Sequence, residues 1–280
     1  LWASDSAAHG LKNPTLAYNL AELRDWQTAQ PFIDIMRVAR PWVGHTKDKW
    51  AALSNAELVE LNLVDESGWI KRIPENIDAV GTIFAWRETS KILPTAAHHR
   101  AGVYLLRYDG RGEIVLKGDA KILNREAGLI RFENISGDFI GIDIIATDPD
   151  KTGNYIRNIT LMKQAHVALY DSGAMFNPDW RSHVDDARQI RFMDWMGTNG
   201  SDVSTWEDWP RENELSWRAP VDVMVRLANE TGAEPWFTVP HLSTDEFNTE
   251  MARYIRDNLD PNLTVRVEFS NEVWNGSFSQ

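Results

Sequence analysis

Near its carboxyl end the sequence reads Thr264-Val-Arg-Val-Glu-Phe-Ser-Asn-Glu-Val-Trp-Asn275. The β-branched run through Val265 and Val267 predicts a buried strand. It delivers Ser270, Asn271, Glu272, Trp274 and Asn275 at its end. Parallel α/β proteins place their chemistry at the carboxyl ends of strands. A carboxyl group there, beside Trp274 and under Asn271, is expected to be partly desolvated, with a raised pKa suited to a general acid near neutral pH. The competing structural reading is a strand-end carboxylate paired with an arginine. Two further strand ends carry polar or aromatic groups, Asp194-Trp195 and His241.

These groups need elements to hold them. Leu16–Leu20 predicts a first strand, and Pro31 opens a helix with Phe32, Ile35, Met36 and Ala39 on one face, ended by Arg40-Pro41. Ser54 and Glu57 have capping-box spacing. From Gly68 to Ile159, seven short strand-like runs are separated by turn pairs such as Asp109-Gly110 and Ser136-Gly137, the pattern of an antiparallel β-sandwich. A β/α rhythm then returns. Asn177-Pro178 starts a helix and Ile190–Trp195 is a strand. Pro220 starts a helix stopped by Gly232, Pro235–Val239 is a strand, and Thr244 caps the next helix. The expected fold is α/β: the first four strands of a (β/α)8 TIM barrel with an inserted antiparallel β-sandwich. The expected divisions are a first β/α unit (1–45), the inserted sandwich (46–166) and β/α units two to four (167–280), truncated.

Composition narrows the function. The formal net charge of −12 and pI near 5.0 argue against a nucleic-acid partner, and no apolar run has the length of a membrane span. With no cysteine there is no disulfide or thiolate chemistry. No zinc spacing or phosphate-cradling glycine loop is present, and no cofactor is expected. Asp148-Pro-Asp150-Lys-Thr-Gly-Asn154 has oxygens at alternating positions, as in a calcium turn, but it lacks the distal bidentate Glu of an EF-hand, and a plain Asp/Gly turn explains it better. Tryptophan is over-used, 13 against 6 tyrosines. Each either fills core or offers a flat face for a sugar ring. Trp206, Trp209 and Trp217, in the long loop Gly197–Ala219, are the candidates for sugar stacking.

Ser270-Asn-Glu-Val-Trp-Asn275 resembles the strand-four Asn-Glu signature of clan A glycoside hydrolases. The runs Arg191–Trp195, Trp236–His241 and Glu268–Trp274 resemble a bacterial group of that clan with a β-sandwich inserted early in the barrel. The resemblance implies a retaining enzyme acting on a β-linked polysaccharide or oligosaccharide, extracellular or periplasmic in a bacterium. It makes Glu272 the acid/base and Asn271 the contact to the sugar 2-hydroxyl, and His241 matches a strand-three histidine of several families of the clan. Asp194, Trp195 and Trp274 by their strand-end positions, and Trp206 and Trp209 by their loop, complete the expected substrate contacts. A retaining enzyme also needs a second carboxylate about 5–5.5 Å away. The clan carries it on strand seven, which lies beyond the four strands counted here. The sequence therefore reads as the first part of a longer enzyme, completed by the same gene or a partner chain. The alternative is a non-catalytic carbohydrate-binding protein on a degenerate scaffold.

Overall fold

The computed structural model describes residues 13–86, 99–212, 214 and 218–280. In chain order, β1 (Asn13–Asn19) precedes β2 (Val43–His45), helix α1 (Asn55–Glu60) and β3 (Ala79–Phe84). Six strands follow: β4 (Gly102–Asp109), β5 (Gly112–Gly118), β6 (Ala120–Glu126), β7 (Leu129–Asn134), β8 (Ile140–Thr147) and β9 (Arg157–Lys163). Then come α2 (Val167–Asp171), α3 (Pro178–Val184), β10 (Ala187–Arg191) and α4 (Val221–Thr231). The last elements are β11 (Glu234–Val239), α5 (Asp245–Asn258) and β12 (Arg266–Phe269). No helix among the described residues is long and apolar enough to cross a membrane.

The strands form three four-stranded sheets. One is parallel, in the order β1-β10-β11-β12. The other two are antiparallel, β2-β3-β8-β5 and β6-β7-β4-β9. This overturns the expected α/β barrel. Among the described residues most strands are antiparallel, helices are few, and the one parallel sheet is open, with β12 paired on one side only. Two local causes can be named. The segment from Pro31 does not form a helix, so no first β/α unit exists: it makes a bridge at Phe32 and a short 3-10 turn, Ile35–Val38. Buried Asp34 holds it in that form by accepting from the amides of Met36 and, across the chain, Leu161. The second cause is β12 itself. Val267 and Phe269 are 61% and 62% exposed, so the β-branched run that reads as a buried strand is a sheet edge.

The chain divides into two compact units. Of the described residues, 13–23, 178–212 and 218–280 make the first and 24–86, 99–177 and 214 the second, so residues 24–45 belong with the antiparallel strands. In the first unit the helices follow their sequence signals. Gly232 ends α4 in the left-handed conformation at φ 63°, and Thr244 caps α5 by accepting from the Phe247 amide. Phe192 and Phe237 stack at 5.5 Å, and Phe247, Met251 and Ile255 turn α5 inward.

In the second unit the inward faces of both antiparallel sheets are apolar, with Ile114, Ile140, Ile142 and Ile144 on one and Leu106, Ile130 and Phe132 on the other fully buried. An aromatic series, Phe84, Trp86, Tyr104 and Phe132, runs from the first sheet to the second with ring centroids 5.6, 6.3 and 5.6 Å apart. Arg100 is buried against it, donating to the carbonyls of Trp86 and Gln27, and burial lowers its pKa to about 10. The capping box forms as its spacing predicts, Ser54 and Glu57 bonding each other's backbone. Trp69–Ile73 forms only an isolated bridge, while β6 escapes sequence reading because its side chains are nearly all exposed and show no alternation. The Asp148 carboxylate is taken up locally by the amides of Thr152 and Gly153.

Asp34 gives this unit a defined pH dependence. Burial pushes its carboxyl from 3.8 up to about 6, against the opposing pull of its two backbone N–H bonds and Arg37. The folded chain therefore retains this proton where the unfolded chain has released it. Stability from this group falls as pH rises from about 4 to about 6 and is flat above, by at most about 3 kcal/mol. Both backbone bonds reach Oδ1, an atom that Asp34→Asn keeps. Urea denaturation should show D34N gaining on the native protein between pH 4 and pH 7; a pH-independent difference would contradict the assignment.

Candidate functional site

The carboxyl end of the parallel sheet gathers the first unit's polar side chains. Register sets this up: Asn19 lies opposite Arg191, Arg191 opposite Trp236, and Trp236 opposite Arg266, so Glu268 and Asn271 project just beyond. Arg191 closes β10, with its guanidinium 4.9 Å over the Trp236 ring. It donates to Glu268 Oε2 through Nε (3.2 Å) and Nη2 (2.7 Å), to Asn271 Oδ1 (2.9 Å) and to Asn19 Oδ1 (3.3 Å). Asn19 passes the network on by donating to Asp194 Oδ2 at 3.1 Å. Charge-assisted bonds of this kind are about twice as strong as neutral ones.

Asn271 is buried at 7% exposure. Its Oδ1 is occupied by Arg191, and its Nδ2 donates to Asn199 Oδ1 at 2.9 Å. Gln280 locks the turn from the other side. It donates to the Asn271 carbonyl (2.7 Å) and to Asn199 (3.0 Å), while accepting from the Gly200 amide (2.8 Å). An Asn amide has two N–H donors, so one remains for a ligand.

The backbone around Asn271 is unusual. Ser270 has φ 54° and Glu272 φ 45°, both left-handed without being glycine. Each such residue costs about 1–2 kcal/mol, and non-glycine residues held this way cluster at functional sites. The alternation turns Asn271 inward and Glu272 outward. Ser270 is fully buried, its amide bonded to the Val239 carbonyl at 2.8 Å and its Oγ without a partner among the described residues. Glu272 is exposed and accepts from Asn275 Nδ2 at 2.8 Å, so the desolvated setting expected for it is not present. Trp274 beside it is 79% exposed.

The other candidates divide. His241 follows β11 with a buried Nδ1 that has no partner among the described residues. Asp194 and Trp195 lie beyond the strand end, in the turn closed by the Met196 amide on the Phe192 carbonyl. Asp194 joins the Arg191 network through Asn19, whereas Trp195 is 1% exposed, stacked on Trp180 at 5.9 Å and tilted against Phe192. Trp195 is a core residue with no face for a sugar. Trp209 is likewise buried at 1%. Trp206 and Trp209 both pack edge-on against Phe247 of α5, and Arg211 covers one face of Trp206 at 5.4 Å. Those two anchor the long loop instead of lining a cleft; Trp217 lies outside the described residues.

Sequence reading passes over Asn19, Arg191, Asn199, Glu268 and Gln280. A signal did exist for Arg191 and Glu268: a parallel strand reads as an apolar run, so a charge near its end requires a partner. Among the described residues no cluster of three or more His, Asp or Glu side chains is arranged to hold a metal ion.

The two left-handed residues supply a test. Ser270→Gly removes both the strained φ and the orphaned hydroxyl, so it should stabilise the fold by about 1 kcal/mol in urea denaturation. A loss of stability would show that the Ser270 conformation is not strained. Comparison with protein-family models, with curated proteins and with solved structures found no match to this chain.

Proposed function

We propose that the sheet end around Asn271 and Glu272 is a glycoside hydrolase site acting on a β-linked polysaccharide or oligosaccharide, with Glu272 as general acid/base. The observation that carries this reading is the pair of left-handed residues flanking Asn271. The chain departs from relaxed geometry to fix an amide inward and present a carboxylate to solvent, beside an exposed tryptophan. Asn271 keeps one N–H to donate to a sugar hydroxyl, and the exposed face of Trp274 suits the C–H face of a pyranose. A sugar bound there would supply the desolvation that Glu272 lacks in the free protein.

In the retaining form of the reaction, protonated Glu272 gives its proton to the leaving oxygen as the bond from that oxygen to the anomeric carbon breaks. A second carboxylate forms a bond to the same carbon. Glu272, now ionised, takes a proton from water as the water oxygen attacks the anomeric carbon and the second carboxylate leaves. Glu268 is held by Arg191 and Asp194 by Asn19, so neither is assigned the nucleophile.

Glu272→Gln tests the assignment with graded aryl glycosides. Loss of the acid should slow substrates with poor leaving groups by at least about 10²-fold. Activated dinitrophenyl glycosides should still glycosylate the protein, and added azide should restore their turnover, yielding a glycosyl azide. Rates left unchanged in E272Q would sink the catalytic assignment. Glycan binding without turnover in the native protein would favour a binding site built on Trp274.

A further inference from the structure

The second unit carries a side-chain cluster that the Glu272 site does not use. Trp50 sits at the tip of the turn after β2, and that turn is tightly closed. The Gly44 and Leu53 backbones exchange two bonds of 2.9 and 3.0 Å, the Thr46 amide reaches the Lys49 carbonyl at 3.0 Å, and the Lys49 amide reaches Thr46 Oγ1 at 3.1 Å. The Trp50 ring lies parallel to the His45 ring, 4.6 Å away at 20°, yet Trp50 remains 50% exposed. One face of the indole is covered by His45, and half of the residue's surface is open to solvent.

Beneath it the support is rigid. His45 is 5% exposed, and its Nε2 lies 3.0 Å from Oδ2 of Asp143, itself 1% exposed. Asp143 is also paired with Lys117, whose side chain is half exposed. The pair fits over β3 only because residue 81 is glycine: a Cβ there would stand 2.2 Å from Asp143 Oδ1 and 2.8 Å from His45 Cε1. The arrangement is costly, because His45 Nδ1 and Asp143 Oδ1 are buried with no hydrogen-bond partner among the described residues. A pair kept for stability alone would satisfy those atoms. The histidine of this pair is the one stacked on the exposed Trp50 ring.

We propose that Trp50 is a sugar-binding platform, a second carbohydrate site on this chain. A pyranose stacks its C–H face on the open side of the indole, and the ring, already fixed by His45, loses little freedom on binding. Lys117 spends one of its donors on Asp143 and keeps others for hydroxyls of an adjoining residue of the glycan. The choice of a glycan over another flat apolar ligand rests on the reading of the Glu272 site. The platform is formed by residues of the second unit alone.

The test follows the indole N–H signal of Trp50, identified by its absence in Trp50→Phe, during titration of the labelled protein with β-1,4-linked gluco-, manno- and xylohexaose. At least one hexaose should shift that signal saturably. Trp50→Ala should weaken retention on the matching insoluble polysaccharide about tenfold, the scale of one lost aromatic stack. An indole signal that none of the three moves, or retention unchanged in W50A, overturns the proposal. Aryl glycoside turnover in E272Q reads the other site separately, so failure of one reading is distinguishable from failure of the other.

Discussion

At the end of the parallel sheet, the Arg191 side chain is only 19% exposed, and its guanidinium needs partners in place of the water it has lost. Glu268 supplies the compensating charge, and Asn271 and Asn19 supply neutral acceptors. Everything distinctive at this end follows from meeting that demand. Asn271 has to face inward to reach Arg191, so the chain reverses on both sides of it. The reversal leaves Ser270 and Glu272 left-handed and turns Glu272 to solvent. Asn199 then accepts one of the amide's two N–H groups, and Gln280 braces the Asn271 backbone carbonyl.

The two units show the same trade in different forms. In the first, strain is held in the backbone at Ser270 and Glu272, with an orphaned hydroxyl beside it. In the second a buried His45–Asp143 pair leaves two atoms unsatisfied over a required glycine, and Ala51, next to Trp50, is left-handed at φ 50°. Both present an exposed tryptophan, Trp274 and Trp50, close to the strained group. Natural folds give up stability mainly where function requires it. The interior is otherwise largely apolar, and arginines such as Arg107, Arg181 and Arg266 are matched to carboxylates.

Much of the local structure was legible. Gly232 and Thr244 mark their helix ends because those signals are local, and the turn pairs after Gly68 correctly separate antiparallel strands. The barrel expectation failed where long-range contacts decide. The apolar spacing from Phe32 to Ala39 is helical, yet Asp34 reaches the Leu161 amide and ties the segment to β9. The run Val265–Phe269 looks buried by composition, yet β12 is an edge. For the candidate site, residue types at the strand end picked out Asn271, Glu272 and Trp274. They did not indicate that Trp195 and Trp209 are core, since burial of a tryptophan is set by what packs over it. The Trp50 platform was equally hidden, because it joins residues from four strands or their turns.

Arg191 and Asn271 hold the sheet end as one coupled unit. A double-mutant cycle on stability, with Arg191→Ala, Asn271→Ala and the double variant, measures that coupling directly. The expected interaction energy is about 1–2 kcal/mol, the double variant losing less than the sum of the two singles. Additive losses, within about 0.3 kcal/mol, would contradict it.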